Sequence, residues 1–311
     1  MKAILGTMTF GDQVDHDIAS QMISSFRDAG YNELDSAYVY CAGATENLLG
    51  NLNQQLLLDH CDIATKVNPK EGGLSAASVD RQFTTSLQRM KKESVDLLYL
   101  HQPDLETPVT ETLEALDRHA KAGRFSRFGL SNYAAWQVAE IAGICEHRGY
   151  LMPSVYQGMY NAFTRDVERE LFPCLKHYNI AFYAYNPLAG GMLTGKHIDV
   201  SQNPADGRFA GNIEYQNRYW KSDYFSAVDQ FRQACLSEGI DPASAALRWM
   251  AHHSGLSDDK NDAVIIGASS MQHFTQNLEA LQQGALPDTI VTALDQGWEI
   301  ARPDCIKYFR P

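Results

Sequence analysis

The feature that most constrains this chain is a pattern that recurs without any repeat of sequence. Short apolar runs alternate with longer amphipathic stretches along its 311 residues. The apolar runs fall at 3–6, 31–34, 62–67, 95–100, 125–130, 154–157, 180–185 and 263–266. Helical periodicity fills the intervals at 17–29, 45–58, 75–92, 109–122, 133–148 and 167–178, then at 222–237, 242–252, 271–283 and 289–301. Strand-helix alternation of this kind predicts a parallel sheet. Eight such units predict an α/β fold: one single-domain (β/α)8 barrel over 1–311, with its active site at the C-terminal ends of the strands. Gly30 and Gly123 stop two of the helices, and Thr45 reads as the cap of another. The competing architecture is an open doubly wound sheet. It wants a Gly-x-Gly-x-x-Gly turn after its first strand, and that turn is missing.

Charge narrows the partners. A net charge of −12 argues against nucleic acid and against anionic membranes, both of which need a basic face. No apolar run reaches the roughly 18 residues of a membrane span, and the first residues read as a strand rather than a signal peptide. Cys41, Cys61, Cys145, Cys174, Cys235 and Cys305 are scattered without a Cys-x-x-Cys pair, which predicts reduced thiols and a cytoplasmic home. No metal site is expected either. His252-His253 is the one histidine pair, and adjacent helical residues do not share a face.

One stretch breaks the rhythm. Residues 190–221 are rich in Gly, Asn, Pro and Asp and show no clear period, and a loop this long is usually functional. Within it, Gly190 to Gly195 and Lys196 imitate most of a P-loop. The next position should be Ser or Thr to hold magnesium, and it is His197, so nucleotide hydrolysis is set aside.

The predicted strand ends carry polar groups that converge on one face. Asp35 ends the second strand, and Tyr40 follows in the loop. Lys66 sits in the last turn of the third, His101 ends the fourth, and Ser131-Asn132 end the fifth. Gln157, Tyr185 and Gly267 end the sixth, seventh and eighth. A phenol titrates near pH 10, so as a proton donor it needs a nearby cation to stabilise its phenolate. Lys66 is the expected cation, held charged by Asp35, and is expected to lower the pKa of Tyr40. His101 would hydrogen-bond a carbonyl oxygen while Tyr40 gives it a proton. That set suits carbonyl reduction and lacks a hydride source, so it calls for a nicotinamide. Ser131, Asn132 and Gln157 suit its carboxamide, and Tyr185 its ring. Tyr38 is the rival phenol and is assigned to the pocket wall with Met8, Phe10 and Trp220.

Asp35, Tyr40, Lys66 and His101, with Ser131-Asn132 and Gln157, resemble the aldo-keto reductase family. The runs 155–161 and 185–196, Asn217-Arg218-Tyr219-Trp220 and the terminal Tyr308-Phe309-Arg310 resemble its aflatoxin-aldehyde and succinic-semialdehyde reductase subfamily. The resemblance covers residues 3–310 and implies hydride transfer from NADPH to a small-molecule aldehyde. It implies that Asn186, Pro187, Leu188, Gly190, Gly191, Leu193 and Gly195 wrap the cofactor, the last few offering backbone amides to its pyrophosphate. It carries the adenosine end onto Arg208, Ser269, Ser270, Gln276 and Asn277. Where many members have an arginine this chain has His273, so Lys196 and Arg208 become the candidates for the 2′-phosphate. Substrate roles pass to His101, Tyr215, Arg218 and Arg310, and two arginines suggest a carboxylate on the aldehyde. A homodimer is also implied. The alternative is a cofactor-binding regulatory subunit resembling the potassium-channel beta subunit, which shares the fold and keeps the same tetrad.

Overall fold

The computed structural model describes residues 1–202, 204 and 207–310. Among these, eight parallel strands close into a barrel in sequence order: β1 (Lys2–Gly6), β2 (Glu33–Asp35), β3 (Asp62–Val67), β4 (Val95–Leu100), β5 (Phe125–Ser131), β6 (Pro153–Met159), β7 (Ala181–Tyr185) and β8 (Ala263–Ile266). β8 returns to β1 with Lys2 opposite Ala263 and Leu5 opposite Ile266, which leaves no open edge. The helices α1 (His16–Asp28), α2 (Ala44–Gln54), α3 (Ala76–Met90), α4 (Val109–Lys121), α5 (Ala135–Arg148) and α6 (Leu171–His177) follow β1 to β6. After β7 come α7 (Ile213–Tyr219), α8 (Ser222–Glu238) and α9 (Pro242–His252). After β8 come α10 (Met271–Gln282) and α11 (Asp288–Ala301). No helix among the described residues is long and apolar enough to cross a membrane.

The expected (β/α)8 architecture therefore holds, and three local expectations need correction. Thr45 is not a cap. Gly43, at φ 91°, caps α2, while the Thr45 hydroxyl is buried and donates to the Phe10 carbonyl at 2.8 Å. The span expected as one helix at 167–178 splits into a short 3-10 turn at Asp166–Glu168 and α6, which carries Pro173 in its first turn, where a missing N–H costs nothing. The stretch 190–221 is not irregular throughout. It opens with the 3-10 turn Ala189–Thr194 and later forms α7, capped by Asn212, whose side chain accepts from the Tyr215 amide. Seven residues are too few to display a helical period against a polar background.

Two layers inside the barrel set the position of the site. At the N-terminal end a charge cluster closes the floor. Glu33, 2% exposed, pairs with Lys2 at 2.7 Å and with Arg127 at 3.1 Å. The Tyr183 hydroxyl accepts from both cations and donates to Glu33. Above this lies the ring of Tyr99, fully buried, with the register Lys66, Tyr99, Gly129 running across three strands. A Cβ on Gly129 would stand 2.3 Å from that ring, so the glycine makes room for it. The Lys66 ammonium sits 5.6 Å from the ring centroid.

A prediction follows for Gly129→Ala. The added methyl overpacks a rigid aromatic inside a closed barrel, so urea denaturation should show a loss of roughly 1–3 kcal/mol with an unchanged m value.

Candidate active site

Lys66 is fully buried, and its three ammonium protons have three acceptors. Its Nζ lies 2.7 Å from Asp35 Oδ2, 2.6 Å from the Ser36 carbonyl and 3.2 Å from the Tyr40 hydroxyl. Asp35 uses its other oxygen, Oδ1, to accept from Gln157 Nε2 at 2.7 Å across the barrel. Burial lowers the Lys66 pKa. The Asp35 carboxylate, and beyond it Glu46, oppose that fall without cancelling it.

The loop that brings Tyr40 to Lys66 is pinned from both sides. The Tyr38 amide donates to the Lys66 carbonyl at 3.1 Å, and the Tyr40 amide to Ala37. Arg89 on α3 donates to the Tyr38 carbonyl at 3.0 Å, and its guanidinium covers the Tyr38 ring at 4.5 Å. Arg89 is held in turn by Glu46, a fully buried carboxylate on α2 that also accepts from Thr65 at 2.7 Å. The rival phenol is thus packed under Arg89, and Tyr40 is the tyrosine whose hydroxyl meets Lys66. Cys41 and Ala42, at φ 47° and 51°, turn the chain sharply after it, a strained conformation for residues with a side chain.

One expectation about Tyr40 is reversed. Its pKa stands well above 10, chiefly because burial disfavours the phenolate and next because the Asp35 carboxylate repels it. Lys66 contacts the phenol, but its charge is matched by Asp35 at closer range. At neutral pH the residue carries its proton.

His101 sits opposite, its ring meeting that of Tyr40 edge-on at 6.0 Å between centroids. Burial, and then the Lys66 charge, push its pKa well below 6.5, so it is neutral. Asn68 settles which nitrogen bears the proton. The Asn68 Oδ1 accepts from the Lys70 amide at 2.9 Å, which leaves its Nδ2 to donate to His101 Nδ1 at 3.2 Å. The proton is then on Nε2, which can donate to an oxygen that also receives from Tyr40. Asn68 is fixed by buried Gln82, which accepts from the Asn68 amide and donates to its carbonyl.

The residues expected at a nicotinamide are brought together, but several of their polar atoms already have partners. Asn132, at φ 64°, donates from Nδ2 to the His101 carbonyl and Ser131 Oγ, and accepts from the Tyr185 hydroxyl at 2.7 Å. Its carbonyl accepts from the Arg310 amide at 2.9 Å, which docks the chain terminus here. The Gln157 amide is committed to Asp35.

For a dinucleotide the fit rests on space and on one unpaired donor. The buried Asn186 Nδ2 has no partner among the described residues, while its Oδ1 accepts from the Tyr215 hydroxyl at 3.1 Å. Buried Pro187 and partly buried Leu188 lead into the glycine turn. The amides of Gly191, Leu193 and Gly195 donate to the carbonyls of Leu188 and Met192, so these three offer room rather than donors. A Cβ on Gly191 would meet no described atom within 4 Å, whereas one on Gly190 would stand 2.7 Å from the Tyr215 ring. Just past the end of β8, Gly267 is equally open, its nearest atom at 4.0 Å. Ser270 caps α10, accepting from the His273 amide, and leaves a helix N-terminus suited to an anion. Ser269 and Gln276 are exposed nearby, and Asn277 is buried with its amide toward the Gly267 carbonyl at 3.4 Å. Lys196 is exposed. Arg208 donates to the Tyr215 hydroxyl at 3.1 Å and lies over its ring. These residues fit a phosphate-bearing dinucleotide. Arg218 and Arg310 also meet, at a third residue, Glu214.

Sequence reasoning missed Asn68, Glu46, Arg89 and Glu214. Glu46 could have been found as a carboxylate on the apolar stripe of α2. Asn68 and Arg89 carry no signal until the strands are in register.

Because native His101 binds no proton where an unfolded histidine does, the unfolded state takes up more protons as pH falls below 6.5. Its contribution to stability is complete above that value and is lost below it. His119 and His253 are also depressed, mainly by burial. Denaturation at pH 7 and pH 5 should therefore show a fall in stability. His101→Asn should make the fall shallower, by at most about 1.4 kcal/mol per pH unit.

Comparison with known proteins agrees with this geometry. The Aldo/keto reductase family profile matches residues 2–299. The chain is 46% identical to Aflatoxin B1 aldehyde reductase member 2 of Mus musculus, over 99% of this chain and 87% of that protein. It is 44% identical to Aldo-keto reductase family 7 member A3 of Homo sapiens, over 99% and 96%. An aldo-keto reductase of Pseudocercospora fijiensis is 40% identical, over 93% of this chain and the whole of that protein. The chain belongs to the aldo-keto reductase family of oxidoreductases.

Proposed function

We propose that this protein is an NADPH-dependent aldehyde reductase that accepts carboxylate-bearing aldehydes such as succinic semialdehyde. The observation that carries this reading is the meeting of three groups: a buried ammonium, a protonated phenol at 3.2 Å from it, and a neutral imidazole with its proton on Nε2. NADPH, when bound, supplies the hydride. The chain's own residues do the rest. Tyr40 and His101 donate to the aldehyde oxygen, and Tyr40 transfers its proton as negative charge develops there. The Lys66 ammonium stabilises the phenolate left behind and is kept charged by Asp35. A high resting pKa for Tyr40 is consistent with this role, since the donor must hold its proton until the carbonyl oxygen becomes basic.

The whole chain is proposed to act as one domain, in the cytoplasm, and as a homodimer. The alternative, a regulatory subunit that binds the cofactor without turnover, differs in outcome: NADPH would bind but its absorbance would not fall with 4-nitrobenzaldehyde or succinic semialdehyde. Tyr40→Phe should lower turnover by about 10²- to 10⁴-fold with NADPH affinity nearly intact, as measured by fluorescence titration. The proton-donor role is wrong if that variant keeps most of its turnover, or if Tyr38→Phe does more damage.

Arg208 and Lys196 are the proposed contacts of the 2′-phosphate. A charge-assisted bond of this kind is worth roughly 1.5–3 kcal/mol, or about one to two powers of ten. Arg208→Ala should therefore weaken NADPH by that factor and NADH much less. Equal losses for the two cofactors would remove Arg208 from the phosphate site.

A further inference from the structure

The two arginines that support a carboxylate-bearing substrate do not stand free. Arg218 Nη2 and Arg310 Nη2 both donate to one oxygen, Oε1 of Glu214. The arginines reach it from separate parts of the chain. Arg218 projects from α7, one turn after Glu214, and its side chain is only 10% exposed. Arg310 comes from the terminal segment, whose amide is tied to the Asn132 carbonyl. A carboxylate of the protein itself thus occupies the point where two guanidinium groups converge. Glu214 is charged at neutral pH. Its partial burial works against ionisation, but the two arginines outweigh it and hold its pKa below the usual value. The other groups facing Arg218 are the phenols of Tyr185, Tyr215 and Tyr219, which leaves Glu214 as the carboxylate beside it.

The arrangement is unequal in a way that matters. The Arg218 side chain is nearly buried, so it needs an anion beside it. The Glu214 side chain is 51% exposed on the first turn of a short helix, so it can turn into water at little cost. One partner must be matched, and the other is free to leave.

We propose that Glu214 is a specificity residue: an internal carboxylate that holds Arg218 and Arg310 until the distal carboxylate of an anionic aldehyde displaces it. This rests on the carboxylate reading of the substrate given above. In the free protein Glu214 keeps both guanidinium groups paired and oriented. When an anionic aldehyde enters, its carboxylate takes over the bonds, and Glu214 turns outward. A neutral aldehyde has no group to exchange and leaves the triad closed. Anionic substrates therefore bind more weakly than the two arginines alone would allow, by the worth of the ion pair they break.

The test is Glu214→Gln, which keeps the shape and removes the charge, compared with Arg218→Lys and Arg310→Ala. The readouts are the kcat/KM ratio of succinic semialdehyde to 4-nitrobenzaldehyde, and competitive inhibition by succinate, which cannot react. Glu214→Gln should raise that ratio and tighten succinate inhibition by about two- to five-fold, the worth of a half-exposed ion pair. Both arginine variants should lower the ratio. If they do and Glu214→Gln leaves it unchanged or lowers it, Glu214 merely positions the arginines and the displacement proposal fails alone. If the arginine variants do not move the ratio, the carboxylate reading fails, and this proposal with it.

Discussion

A fully buried ammonium must be matched by acceptors, and the Lys66–Asp35 pair is the match on which the rest of this site depends. Taking both charges out of water costs several kcal/mol per ion, which mutual attraction offsets only if every other donor and acceptor is also satisfied. Here that condition is met residue by residue. The third strand contributes the ammonium and the second its carboxylate. The Ser36 carbonyl takes another proton, and Gln157 reaches across the barrel to the free oxygen of Asp35. The remaining ammonium proton points at Tyr40, so the phenol is reached by what is left once the pair is satisfied. Below, the Tyr99 ring offers a π face, made possible because Gly129 has no side chain to exclude it.

The same burial that strengthens this pair sets the protonation of its neighbours. Low dielectric disfavours a phenolate and an imidazolium alike, so Tyr40 keeps its proton and His101 stays neutral. On the proposed reading these two neutral donors face the place where an oxyanion would form, and neither has to change state for substrate to bind. Such preorganisation is the common source of electrostatic stabilisation in enzymes. Asn68 extends it one step outward by fixing which imidazole nitrogen is the donor.

The fold was legible because short, largely apolar runs alternating with amphipathic helices leave few alternatives, and the eight strands were each placed within two residues at either end. The convergence of Asp35, Tyr40, Lys66 and His101 was legible because the C-terminal strand ends of such a barrel all face one side, so polar residues there add up even at distant sequence positions. Interactions at right angles to the strands were not legible. The pinning of Tyr38 by Arg89 and Glu46 depends on how α2 and α3 pack, and nothing in their sequence spacing records it. The direction of the Tyr40 pKa was misread for a related reason. A motif shows that a cation is near, but not that the cation already has a closer partner. Short α7 was hidden because one buried face of seven residues falls below the length at which a period can be seen.

The pairing of β8 with β1 joins the first strand to the last. In the growing chain β1 precedes β8 by about 260 residues, and of its two neighbours only β2 is available until β8 follows. Its other edge, carrying the run Ala3-Ile4-Leu5, has no partner until Ala263–Ile266 leave the ribosome. At about 5–20 residues per second the wait lasts tens of seconds, and an unpaired apolar edge is a hazard for aggregation throughout. The closed barrel is safe once made, but its vulnerable stage is the growing chain.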